Sequence, residues 1–325
     1  MDRINGDNLM ASTVNTLVRR QPQPAETGRQ ARGGQSKRVD TWTATAFVTP
    51  ALLGFTIFVI IPAIAGLVLA FFDWDLFSTP TFVGFDNIVR LFTDADMWQS
   101  LGVTAMYVVL GVVPSILIGF VLAVLVNTNL PGVGILRVFY FAPMIASSAV
   151  AALIWASLYS PKSGLINQTL ALVGINGPNW LSDTTWALPA LVVIMIWTAL
   201  PLVVILYLAG LQRVPEDIYA AASLDGAGKW RQLWSMTWPN VWPTTLLVAV
   251  LEAIGFISGS FELSLIMTDG GPLGATRSLA LYSYQEAFAS RDIGYASALS
   301  LFQLVLMGLI VVLVRVIVKA RKARG

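Results

Sequence analysis

Apolar residues in this chain come in long runs, not at the period of an amphipathic helix or an alternating strand. Runs long enough to cross a hydrocarbon core of about 30 Å occupy residues 43–72, 101–126, 136–158, 187–209, 241–265 and 296–318. The pattern predicts six membrane-spanning helices. Several runs contain an internal proline, among them Pro62, Pro114, Pro143 and Pro201. Spans tolerate such residues where neighbouring helices re-satisfy the freed carbonyls, so these positions are read as packing kinks and not as gates.

The polar intervals set the organisation. Residues 1–40 carry no sustained apolar period and are rich in Arg, Gln, Gly, Ser and Thr, the composition of a disordered tail. The first apolar run is much longer than the roughly 7–15 residues of a signal-peptide core, so it is read as a membrane anchor. Four segments follow: the tail at 1–40, a first span and outer loop at 41–96, a core of five spans at 97–318 containing a loop at 211–239, and a basic tail at 319–325. Placing both termini in the cytoplasm puts sixteen of the 20 Lys and Arg residues inside, and only Arg90, Lys162, Arg277 and Arg291 outside. Positive charge concentrates on the cytoplasmic side, so both termini are expected there.

Composition agrees with a membrane protein: 56% hydrophobic, 12% charged, mean hydropathy +0.72, far from the balance of soluble domains. The net charge of +2 reflects topology and shows no basic face for nucleic acid. Cysteine and histidine are both absent. That excludes disulfides and thiolate chemistry and removes the commonest general base and metal ligand, so neither a catalytic set nor a metal site is expected.

The longest cytoplasmic loop contains AASLDGAGKWRQLW, in which Gly228 precedes Lys229. A phosphate-binding loop needs a Gly five positions before that pair and a Ser or Thr after it; Ser223 and Trp230 stand there instead. Two short helices are predicted. Pro215 with Glu216 and Asp217 starts the first. Asp225-Gly226 interrupts it, with Gly226 in a left-handed turn and Asp225 capping the second helix. In that second helix Trp230, Leu233, Trp234 and Trp238 fall on one face, and Pro239 is expected to break it before the next span. Such a loop suits contact with a protein partner, and equally an interfacial helix held on lipid headgroups by its tryptophans with Lys229 and Arg231.

The run VPEDIYAAASLDGAGKWRQLWSMTWP, residues 214–239, resembles the cytoplasmic signature of ABC-importer permeases. Ala221, Ala222, Asp225, Gly226, Ala227 and Pro239 match the pattern, while Ala220 replaces its glutamate. TDGGPLGATRSLALYSYQEAF, residues 268–288, resembles the outer loop of carbohydrate-importer permeases of the maltose and glycerol-phosphate type, and FVGFDNIVRLF, residues 82–92, resembles their first outer loop. The resemblance implies a type I ABC-importer permease fold in a prokaryotic inner membrane, all-α with six spans. It also implies a second homologous permease, two cytoplasmic ATPase subunits that hold ATP and Mg²⁺, and an extracytoplasmic binding protein that delivers the substrate. This chain would hold no cofactor and hydrolyse nothing itself. Its loop would be the coupling element, with Ala220, Ala221, Ala222, Asp225, Gly226, Ala227, Trp230 and Pro239 addressed to the ATPase.

Within the spans, Glu252 lies near the middle of the fifth run, where an ionisable group is costly and points to function or to a carboxyl satisfied inside the bundle. Ser258, Phe261 and Glu262 continue along that segment, and Gln303 lies in the sixth. Together with Trp197 they offer the hydrogen-bonding and stacking groups that a sugar needs. Glycerol-phosphate or another polar solute is the alternative cargo, and a secondary transporter is the alternative of another class.

Overall fold

The computed structural model describes residues 36–127 and 133–322. It is mostly helical. Among the described residues five helices are long and apolar enough to cross a membrane: Trp42–Leu69, Ala95–Val126, Ala187–Leu211, Lys229–Met267 and Ile293–Val316. The expected tail falls outside the description for residues 1–35, but residues 36–40 belong to a helix, and residues 319–322 are likewise helical.

The chain divides into two units after Ile61. In the first, α1 (Ser36–Phe55) leads into a π-turn, Thr56–Ile60. Apolar side chains such as Phe47 and Phe58 stand exposed, a surface that suits lipid and not water. In the second, α2 (Ile61–Leu69), whose first residue is the last of the first unit, leads to a hairpin of β1 (Phe72–Asp73) and β2 (Thr81–Phe82), then α3 (Asp86–Thr93) and α4 (Ala95–Val126). There follow α5 (Val133–Phe141), α6 (Ser148–Leu158), α7 (Leu165–Leu172), α8 (Ala187–Leu211), α9 (Glu216–Leu224), α10 (Lys229–Gln232), α11 (Trp238–Met267), α12 (Leu279–Phe288) and α13 (Ile293–Lys322).

The run at 136–158 is not one continuous helix. α5 ends at Phe141, a 3₁₀ turn covers Ala142–Ile145, and Ala146 is extended at φ −86°, ψ 134°. Pro143 accounts for the break, since its ring lacks an N–H and collides with the carbonyl four residues back. Ser147 then restarts the chain by accepting the Val150 N–H at 3.4 Å. Pro114 and Pro201, by contrast, sit inside unbroken α4 and α8. Pro62 and Pro239 share a third solution: each closely follows a π-turn, Thr56–Ile60 and Leu233–Thr237. The wider turn makes i→i+5 bonds, Ile61 N–H to Thr56 O and Trp238 N–H to Leu233 O, and so absorbs the missing donor.

The core is built where α4, α8 and α11 cross. Small residues let the backbones approach: a Cβ at Gly111 would lie 2.0 Å from the Phe256 ring, and one at Gly119 would lie 2.3 Å from Val203. Several buried hydroxyls inside the bundle are paired across helices. Tyr207 donates to Thr245 at 3.1 Å, Tyr159 to the Ala190 carbonyl at 3.0 Å, and the hydroxyls of Tyr107 and Ser264 lie 2.8 Å apart.

Candidate functional site

The loop at 211–239 forms a compact two-helix element. Gly226 has φ +76°, as its turn requires. Gly226 N–H donates to Ser223 O at 3.1 Å and Ala227 N–H to Ala222 O at 2.9 Å, the paired bonds of a Schellman stop. Ala222 and Ala227 are both buried, which supplies the apolar contact that accompanies such a stop. The second helix is tied back to the first: Gln232 Nε2 donates to Ser223 Oγ and to Ala227 O, both at 2.9 Å, and the hydroxyls of Tyr219 and Thr237 are 3.0 Å apart.

Three local expectations change here. Asp225 ends α9 but does not cap α10, whose N-cap is Gly228 without a side-chain bond, because the Schellman stop uses two further residues to turn the chain. Pro239 does not break the helix, since the π-turn before it carries one continuous column from Lys229 to Met267. The aromatic face is divided as well. Trp230, Trp234, Trp238 and Trp242 form a ladder with ring centroids 5.7, 5.7 and 6.4 Å apart. Phe120 of α4 packs on Trp238 at 4.9 Å and on Trp234 at 6.3 Å. The outer end is left free, with Trp230 73% and Leu224 89% exposed. Leu224 carried no sequence signal because it lies at the end of a helix too short to show a period; Ala220, Ala221, Asp225 and Gly226 are exposed around it.

The pathway candidates separate into two places. Glu252 and Glu262 line one cavity of about 370 Å³, together with Thr198 of α8, Ser148 of α6 and Pro143 and Ala146 at the broken run. Glu252, Gly255, Phe256 and Gly259 follow one another at i, i+3, i+4 and i+7, so one face of α11 forms a wall of the cavity. Glu252 is buried, 5% exposed, and has no hydrogen-bond or salt-bridge partner among the described residues. Glu262 is exposed. Ser258 and Phe261 point elsewhere, into a second groove of about 660 Å³ that also holds Gln303, Ser283, Ser300 and Tyr284. Trp197 lines neither; its ring packs edge-on against Trp155 at 5.8 Å. Thr198, one residue on, does line the acidic cavity, with Ile194, Met195, Ala199 and Leu202 of the same helix. A 100° step per residue separates the two, and the sequence alone does not set the rotation of a helix that is apolar all round.

A third cluster ties the loops outside the bundle. Asp94 accepts hydrogen bonds from Tyr282, at 2.7 Å, and from Tyr295. Arg90 pairs with Asp292 at 2.6 Å and stacks 3.8 Å over the Tyr295 ring, and Arg277 pairs with Asp96. Burial pushes the Asp94 carboxyl up, but the tyrosine hydroxyls and the Met97 and Asp96 N–H groups outweigh it and hold it below the ordinary carboxylate range. These pairs lie within the two segments quoted for their resemblance, 82–92 and 268–288, or just beside them.

A family model described as "Binding-protein-dependent transport system inner membrane component" matches residues 98–323. The "Probable ABC transporter permease protein YesP" of Bacillus subtilis (strain 168) is 34% identical over 280 residues, covering 85% of this chain and 90% of the relative. The "Trehalose/maltose transport system permease protein MalF" of Thermococcus litoralis is 31% identical over 261 residues, covering 80% and 88%. Among solved structures, a bacterial alginate ABC transporter in complex with an alginate pentasaccharide-bound periplasmic protein aligns with a TM-score of 0.74 at 22% identity, over 86% of this chain and 94% of that one. At that identity the likeness establishes the fold. The chain belongs to the binding-protein-dependent inner membrane component family: it is a multi-pass permease of an ABC importer in a prokaryotic inner membrane, and neither a secondary transporter nor an ATPase.

Proposed function

We propose that this permease carries a sugar or oligosaccharide, with residues 97–318 as its translocation core and residues 211–239 as the element that couples it to ATP hydrolysis in a separate subunit. The assembly would comprise a second homologous permease, two ATPase subunits holding ATP and Mg²⁺, and an extracytoplasmic binding protein. The observation that carries the reading is one of continuity. The column from Lys229 to Met267 bears the exposed Trp230 near one end and the cavity carboxyls Glu252 and Glu262 further along. A displacement imposed on the tied two-helix element passes along a hydrogen-bonded rod to the wall of the cavity, which is what alternating access driven from the cytoplasm needs. The named cargo of the trehalose/maltose relative, and a cavity that pairs hydroxyls and carboxyls with the Phe256 ring, support a polyhydroxylated substrate.

The same loop could instead rest on lipid headgroups. Leu224, 89% exposed at the apex of a Schellman turn, favours insertion in a protein groove. A photo-reactive residue at position 224 in the assembled transporter decides between them: covalent capture of the ATPase subunit supports coupling, and capture of lipid alone overturns it.

A further inference from the structure

We propose that Glu252 makes this permease selective by charge, so that its cargo is a sugar bearing no anionic group, either neutral or amino-substituted. The inference rests on the reading of the α11 cavity as part of the pathway. Two carboxyl groups line that cavity, and among the described residues lining it there is no lysine or arginine. Glu252 is 95% removed from solvent and faces the cavity without a partner among the described residues. A buried carboxyl in that position is completed by donors, which sugar hydroxyls or an ammonium group provide. A carboxylate or sulfonate provides none, and could sit there only if one of the two acids took up a proton. Glu262, further along the same wall toward Thr268 and exposed, repeats the sign of the charge. The alginate transporter moves an acidic polysaccharide on the same fold; the charge of this cavity separates cargo class from fold.

The test uses the complete transporter with its permease partner and ATPase subunits in lipid nanodiscs. The chain has no cysteine, so Thr198→Cys, made in an otherwise cysteine-free complex, gives a single thiol in the cavity wall. Its labelling by a hydrophilic maleimide is measured against free glucose-type oligosaccharides at high concentration, in neutral, amino-substituted and uronate forms. Neutral and amino forms are expected to slow labelling and the uronate to require roughly tenfold or more higher concentration, as like-charge juxtaposition dictates. Glu252→Gln should narrow that gap, and Glu252→Asp should keep it. Equal protection by uronate and neutral sugar overturns the charge rule while leaving the cavity as pathway, and so does an unchanged gap in Glu252→Gln. If no form of the sugar protects the thiol, the pathway reading fails, and the inference with it. Should Glu252→Gln not assemble, the comparison of sugars in the Glu252 protein still decides.

Discussion

Tyr282 donates a hydrogen bond to Asp94 across 188 positions of sequence, Oη to Oδ2 at 2.7 Å. The bond joins α12 to the start of α4, and Tyr295 of α13 closes on the same carboxylate. Three chain segments outside the bundle therefore depend on one ionised acid.

That dependence has a sign. Asp94 is held below its ordinary value, so its contribution is complete above the unfolded carboxylate pKa of about 3.9 and is lost as pH falls through the lower folded value. Acidification through that window should raise amide exchange in residues 279–288. Asp94→Asn should raise exchange already at neutral pH and remove its further rise in acid. Acid-independent exchange in the parent protein would count against this account.

Gly226 fixes the turn of the proposed coupling element by its backbone alone. A Cβ there meets nothing within 4 Å, yet φ is +76°, so Gly226→Val introduces backbone strain of about 1–3 kcal/mol without a collision. The Schellman bonds should open and α10 should be re-aimed. Substrate-stimulated ATPase activity of the reconstituted complex is expected to fall, along with co-purification of the ATPase subunit, while membrane insertion is retained.

Gly111 reaches the cavity indirectly. Phe256 lines the cavity from α11, and a Cβ at position 111 would stand 2.0 Å from its ring. Gly111→Ala should push the ring aside at a cost of about 1–3 kcal/mol, the usual price of overpacking, and slow transport. Adding Phe256→Leu should restore stability, measured by thermal unfolding in detergent, because the colliding atoms are then gone. Two independent losses that simply add would point to a different cause.

Glu252→Gln keeps the shape of the side chain and removes the carboxyl from the cavity wall. Transport kinetics should change while expression and insertion do not, whereas unaltered kinetics would reduce Glu252 to a structural role.

The sequence by itself determined the class of the protein, because spans are specified by length and apolarity and any sufficiently long apolar run satisfies that requirement. It also determined the turn at Gly226, a local matter of φ. It did not determine continuity: Pro143 breaks its run while Pro114 and Pro201 do not, and Pro239 follows a π-turn that no residue pattern announces. Nor did it determine facing. Glu252 and Glu262 share one cavity, Ser258, Phe261 and Gln303 another, and Trp197 neither. A helix apolar around its whole circumference carries no moment to orient it, so its rotation is settled by close packing against neighbours, as at Gly111 and Phe256, and that packing exists only once the tertiary structure has formed.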